Sequence, residues 1–219
     1  MRRFPIAGEG FVFIVPALLL AALLFGLGLY LLAIAAFLLF LFFLYFFRNP
    51  ERVCTCKDDE LLSPADGKVM GIDRVTEEEF IGNEMTRISI FMSVSDVHVN
   101  RAPCAGSIAR IEHKNGLFRL AFKRDVEKEN ERNYVLLEGK GERFLLVQIA
   151  GFLARRIICY VKEKDSIGKG EPFGMIAFGS RVDIYMPLSY TPMVQLGQKV
   201  KSGLTTLAGK RGSHEEETA

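Results

Sequence analysis

From Phe11 to Phe47 the chain runs for 37 residues without a charged side chain. Built as one straight helix, that run would be about 55 Å long at the usual rise per residue. The hydrocarbon layer of a bilayer is only about 30 Å thick. A single span would have to tilt steeply or protrude. Gly26-Leu27-Gly28 lies near the middle of the run and offers a natural break. Residues 1–47 therefore read as a membrane anchor, a helical hairpin in preference to one tilted helix. Arg2 and Arg3 precede the run, and Arg48, Arg52 and Lys57 follow it; basic flanks on both sides keep both ends in the cytoplasm. A signal peptide would offer Ala33-Ile34-Ala35 as a loose cleavage match. The apolar run is more than twice the usual length for one and continues past that match.

Composition makes sense only with this segregation. The 219 residues are 49% apolar and 25% charged, with a formal net charge of +2. Outside the apolar run, acidic and basic residues nearly balance. A nucleic-acid binder would carry a basic excess, and a disordered chain would lack the apolar content. A freely soluble enzyme is also disfavoured. Four cysteines without a regular spacing do not make a disulfide framework.

Beyond the polar junction Arg48-Asn49-Pro50-Glu51-Arg52, short apolar runs alternate with Gly, Pro and Asp turns. Thr86–Met92, Tyr134–Leu137 and Arg143–Ile149 have the length and the β-branched and aromatic content of strands. One short helix is expected around Ala150–Arg156. The expected fold is mainly β (α+β): a compact barrel-sandwich or lipoyl-like β domain over residues 48–208, preceded by the anchor and followed by a polar tail, 209–219. Two internal echoes support this. Ser63-Pro64-Ala65-Asp66-Gly67-Lys68-Val69 returns 39 residues later as Ala102-Pro103-Cys104-Ala105-Gly106-Ser107-Ile108. The stretch from Val161 to Gly170 is echoed by Leu196 to Gly203. Such pairs are similar to the hammerhead hairpins of biotinyl and lipoyl folds, with glycine at each tight turn.

Few side chains can carry chemistry. Of the three histidines, His214 lies in the tail and His113 reads as a solvated residue in a charged turn. His98 sits among polar neighbours in Ser95-Asp96-Val97-His98-Val99-Asn100-Arg101. Cys54-Thr55-Cys56 has no second Cys or His pair at zinc spacing, and Cys104 and Cys159 read as small core residues. No phosphate-binding or dinucleotide fingerprint is present. Gly179-Ser180 reads first as a bulge or turn between strands. It also has a chemical use: glycine lets the chain bend so that the Ser180 hydroxyl can attack the Gly179 carbonyl carbon. The resulting ester can lose its carboxylate by β-elimination, and the dehydroalanine left behind hydrolyses to a pyruvoyl group.

Six motifs occur in one order: Phe47-Arg48-Asn49-Pro50-Glu51-Arg52, Ser63-Pro64-Ala65-Asp66-Gly67, Asp96-Val97-His98-Val99-Asn100-Arg101-Ala102-Pro103, Glu129-Asn130-Glu131-Arg132-Asn133, the run from Gln148 to Ile157, and Phe178-Gly179-Ser180-Arg181-Val182-Asp183. In this the chain resembles phosphatidylserine decarboxylase, specifically the short bacterial and archaeal type, from about residue 4 to residue 188. The resemblance implies a self-processing proenzyme at the cell membrane, with its catalytic domain on the cytoplasmic side. Cleavage between Gly179 and Ser180 would give a β chain, 1–179, and an α chain, 180–219, paired as a heterodimer or within a higher oligomer. Ser180 would become the covalent pyruvoyl cofactor, with neither metal nor pyridoxal phosphate. Its ketone would form a Schiff base with the serine amine of phosphatidylserine, and loss of carbon dioxide would give phosphatidylethanolamine.

By motif matching, His98 would be the general acid of decarboxylation, and Asp66 would take part in self-cleavage. A better-known branch of the family has a second histidine where this chain has Arg101. The base for self-cleavage therefore stays open between His98 serving both steps and Asp66 acting more directly. Arg101, Arg155 and Arg156 could meet the lipid phosphate or an anionic surface, or could be ordinary surface or ion-paired arginines. The rival readings are a non-enzymatic, membrane-anchored adaptor of lipoyl-like fold, a biotin or lipoyl carrier, and a pyruvoyl decarboxylase acting on a soluble amino acid. No lysine stands out at a hairpin tip for the carrier, and the apolar run would be pointless for the last. No nucleic-acid partner is expected.

Overall fold

The computed structural model describes residues 5–54, 56–116, 130–151, 156–177 and 180–211. The chain divides into two units, Met1–Glu51 and Arg52–Ala219.

The first unit is helical. A 3-10 turn, Gly8–Gly10, leads into α1 (Phe11–Gly26), and α2 spans Tyr30–Phe46. The break falls at the expected glycines: Gly28 has φ 74°, the left-handed conformation that lets a helix end without steric cost. Small residues, Ala17 and Ala21 on α1 and Ala33 and Ala36 on α2, are buried, which lets the two backbones approach closely. Leucines and phenylalanines elsewhere on both helices are exposed. Gly8–Gly26 is long and apolar enough to cross a membrane. Past α2, the Asn49 amide donates to the Pro5 carbonyl at 2.7 Å.

The second unit is a duplicated β structure. Its strands are β1 (Glu60–Leu62), β2 (Gly67–Glu77), β3 (Asn83–Met92), β4 (Val99–Arg101), β5 (Gly106–Lys114), β6 (Arg132–Gly139), β7 (Glu142–Ala150), β8 (Ile157–Cys159), β9 (Ser166–Ile167), β10 (Pro172–Ile176), β11 (Ser180–Pro187), β12 (Tyr190–Pro192), β13 (Lys199–Val200) and β14 (Thr206–Lys210). The large sheet has the order β13-β2-β3-β11-β7-β6-β5-β9, and two small sheets have the orders β1-β14-β12 and β4-β10-β8. Read from either edge, the large sheet presents equivalent parts, and the small sheets are copies of one another.

Individual bonds repeat as well. Leu62 donates its amide to the Pro103 carbonyl and Arg101 to that of Pro64, both at 2.9 Å. Gly203 donates to Ser63 and Gly170 to Ala102, again both at 2.9 Å. Lys164, one of two non-glycine residues with positive φ among the described residues, occupies the place that Gly197 holds in the other half: their amides donate to the Ile108 and Val69 carbonyls. The two sequence echoes are thus the two halves of one pseudo-twofold.

Gly67 and Gly106 show why this pattern needs glycine. A Cβ on Gly67 would lie 2.1 Å from the Phe91 carbonyl oxygen, and one on Gly106 would lie 2.2 Å from that of Glu138. The inner face of the large sheet carries the main core, including Val69, Ile88, Ile90, Val135, Leu146 and Val182. Each such side chain contributes about 1.5–3 kcal/mol by leaving water.

Three local expectations change. His113 lies on β5, opposite Asn133, and its Nε2 is 3.3 Å from a Glu131 carboxylate oxygen. The charged residues around it mark the exposed face of a strand, where alternate side chains point to solvent, not a turn. Ala150 ends β7, and residues 152–155 of the expected helix lie outside the described residues. Gly209 and Lys210, placed in the tail, belong to β14, where Gly209 pairs with Glu60 and Lys210 with Tyr190. Backbone pairing, not apolar content, sets that boundary.

Candidate active site

Ser180 opens β11 and is fully buried. The strand lies between two partners, with Ser180 opposite Met92 on β3 and Ala150 on β7. Its side chain shares the inner face with Val182 and Ile184. There the hydroxyl donates to the Met92 thioether, with Oγ to Sδ at 3.4 Å. Gly179 lies outside the described residues.

His98 is fully buried in the connection between β3 and β4. One ladder ends at Met92 opposite Ser180, and the next begins at Val99 opposite Met175. Residues 93–98 therefore join the ladder that ends at Ser180 to the ladder that holds Met175. Topology thus brings His98 beside Ile176, the last residue of β10. The Ile176 amide donates to the His98 carbonyl at 3.3 Å. His98 Nδ1 lies 3.0 Å from the Asp96 carbonyl oxygen. A carbonyl can only accept, so Nδ1 carries a proton, and proton exchange by the ring falls to Nε2. Asp96 is itself held by the Ser93 amide and hydroxyl, at 2.8 and 2.7 Å.

Asp66 is reached from the other side. Both arms of the Arg52 guanidinium bind it, Nη1 to Oδ1 at 2.5 Å and Nη2 to Oδ2 at 2.9 Å. The Ser202 amide donates to Oδ1 at 2.8 Å. Ser202 Oγ accepts from Arg52 Nη1 at 2.8 Å and donates to the Val99 carbonyl at 3.4 Å, one residue from His98. Asp66 thus shares an end of the domain with His98 and Ser180. Its hydrogen bonds among the described residues go to Arg52 and Ser202, and it bonds neither of the other two.

Arg101 is buried and donates through Nη1 to the Gly170 carbonyl at 3.1 Å. That makes it part of the hairpin framework, not a surface arginine. Arg156 is exposed, and Arg155 lies outside the described residues. Burial pushes the Cys104 thiol up to about 11, as expected of a core thiol. Among the described residues no group of three or more His, Cys, Asp or Glu side chains is placed to hold a metal ion.

Comparison with known proteins decides the family. The phosphatidylserine decarboxylase family model matches residues 39–208. The chain belongs to the phosphatidylserine decarboxylase family. It is 42% identical over 182 residues to the phosphatidylserine decarboxylase proenzyme of Carboxydothermus hydrogenoformans, covering 83% of this chain and 85% of that one. It is 40% identical over 205 residues to the proenzyme of Cupriavidus pinatubonensis, covering 93% and 94%. It is 41% identical over 209 residues to that of Geobacter metallireducens, covering 93% and 95%. Membership of this decarboxylase family favours an enzyme over an adaptor. The proenzyme names of the relatives fit a family that works through a cut chain.

Sequence reasoning missed several residues at this site of the decarboxylase fold: the polar Arg52, Ser202, Gln148 and Asn133, and Met92. Gln148 and Asn133 stood inside the recognised motifs without a role, and Arg52 had a role only as a basic flank of the apolar run. Gln148 and Asn133 are amides at buried positions of strands, and a buried amide needs partners. That was the available signal.

Proposed function

We propose that this chain is a proenzyme that cuts itself between Gly179 and Ser180, and that the product decarboxylates phosphatidylserine to phosphatidylethanolamine. The observation that carries this reading is the position of Ser180 as the first residue of a strand locked on both sides. β11 pairs with β3 over eight residues and with β7 over six. A break just before Ser180 leaves every one of those pairs in place. The α chain, 180–219, would also hold β12, β13 and β14, which are woven into two sheets. The two chains would stay together after cleavage without a covalent link.

The residues present suit a pyruvoyl group at position 180. The group arises from Ser180 itself, and the site is buried and lined by neutral amides and a thioether. When formed, it supplies a ketone that condenses with the substrate amine and draws electrons as carbon dioxide leaves. The chain's own residues do the rest. In the uncut chain Ser180 Oγ attacks the Gly179 carbonyl carbon, its proton passes through a base to the Ser180 nitrogen, and the peptide C–N bond gives way to an ester with a free amine. His98, with Nδ1 held by the Asp96 carbonyl, is suited to move a proton through Nε2. Asp66, neutralised by Arg52, holds the Ser202 backbone against β4. Its support of His98 runs through the Ser202 hydroxyl, which donates to the Val99 carbonyl next to it.

The helical hairpin would anchor the enzyme where its substrate resides. Arg48 stacks over the Tyr45 ring at 3.9 Å, a pairing suited to the polar boundary of a bilayer. Basic residues on both flanks support a cytoplasmic side for the second unit. A diacyl lipid would reach the site by diffusion within the membrane.

A denaturing gel and intact mass test the reading. Wild type should give two chains, the smaller spanning residues 180–219 with a blocked amino terminus, and Ser180→Ala one uncut chain. Carbon dioxide release should be far faster from phosphatidylserine in detergent micelles than from free serine. A single wild-type chain in an active preparation would refute it.

A further inference from the structure

A line of neutral side chains ends at the Ser180 hydroxyl. Asn133 on β6 donates through Nδ2 to Gln148 Oε1 at 3.0 Å. Gln148 on β7 donates through Nε2 to Asn100 Oδ1 at 2.8 Å. Asn100 on β4 donates through Nδ2 to Met92 Sδ at 3.6 Å, the same sulfur that accepts from Ser180 at 3.4 Å. All five residues are buried. The three amides run head to tail, so turning one alone would set donor against donor or acceptor against acceptor. That fixes which face of Asn100 meets the sulfur. Room for the line is built into the backbone: a Cβ on Gly174 of β10 would lie 2.8 Å from Gln148 Nε2.

A buried hydroxyl or amide left without a partner is costly. Here two donors from different sheets, Asn100 and Ser180, share one soft acceptor. A thioether is a weak acceptor and takes no proton. It can hold the hydroxyl in one rotamer without lowering its nucleophilicity. A methionine side chain has three rotatable bonds and wanders unless something pins it. Asn100 supplies that pin.

We propose that Asn133, Gln148 and Asn100 are positioning residues for self-cleavage, acting through Met92 to hold the Ser180 hydroxyl in its attacking rotamer. This rests on the reading of Ser180 as the self-cleaving nucleophile.

The test is a double-mutant cycle on the rate of cutting of freshly made full-length chain, followed on denaturing gels. Asn100→Asp keeps an acceptor for Gln148 and loses the donor to sulfur. Met92→Leu keeps the shape and loses the acceptor. Each should slow cutting about tenfold, the effect of one lost hydrogen bond on a barrier. The double variant should also be slowed about tenfold, because with the sulfur gone the Asn100 donor has nothing to act through. Gln148→Met, which removes the amide without adding charge, carries the same cycle should Asn100→Asp fail to fold. Thermal melting of each uncut chain separates rate from stability. Single variants within twofold of wild type, or a double variant slowed about a hundredfold, would overturn the proposal and leave Ser180 as the nucleophile. A wild-type chain that never cuts would overturn both.

Discussion

Arg52 and Asp66 stand 14 residues apart and meet in a two-armed ion pair, their side chains only 6% and 9% exposed. Arg52 Nη1 also donates to the Ser202 carbonyl at 2.6 Å, so one guanidinium closes a ring of Asp66, Ser202 and the backbone of β4. Arg52→Ala would leave a buried carboxylate without its counter-charge. That loss should cost about 3–5 kcal/mol, lower the melting temperature and slow cutting. Asp66→Asn in the Arg52→Ala background should recover part of the stability, since no buried charge then remains. No recovery in thermal melts would show that Arg52 works by packing alone.

The same pair sets a boundary for truncation. A chain starting at Arg52 keeps the ion pair, and one starting at Val53 loses it. Circular dichroism should find the first folded and the second markedly less stable. Vesicle flotation should find neither bound to lipid, against a bound full-length chain.

On the proposed mechanism, His98 would move a proton in the lipid reaction. His98→Ala should lower turnover by about 10²–10⁴. If His98 serves only that reaction, the gel will still show two chains; if it also serves cutting, one uncut chain will accumulate. Full turnover in His98→Ala would remove it from the mechanism.

Gly67→Ala and Gly106→Ala should damage the two halves alike. Each new methyl would press on a neighbouring strand's carbonyl at just over 2 Å, and that contact can be relieved only by shifting the ladder. Both should lower the melting temperature strongly. Gly67→Ala should in addition slow cutting, because the carbonyl it meets belongs to Phe91, next to Met92. Gly82→Ala meets nothing within 4 Å, though its φ of 77° adds strain, and it should cost about 1 kcal/mol or a little more.

Cys104 should resist alkylation in the native protein. Its thiol is buried and its pKa is pushed up to about 11, so at pH 8 only about one molecule in a thousand carries the thiolate. Cys54 and Cys56, both half-exposed, should react first, with Cys104 labelled only on denaturation. Rapid native labelling of Cys104 would mean that the core opens locally.

Sequence alone determined what depends on order along the chain. An uncharged run too long for one span, broken at Gly26 and Gly28, specified two helices. Short apolar runs rich in β-branched and aromatic residues specified the strands, and two echoes of Pro, Gly and Val specified paired hairpins. Ser180, His98 and Asp66 could be named from motif order. Only the tertiary structure decided how the echoes close on each other, because Leu62–Pro103 and Arg101–Pro64 are backbone bonds that any side chain permits. It also decided what Asp66 and Ser180 touch. Arg52, Ser202, Met92, Asn100 and Gln148 come from five separate stretches, and a hydrogen bond between distant residues leaves no mark on local spacing. The burial that makes those bonds matter exists only once the sheets have formed.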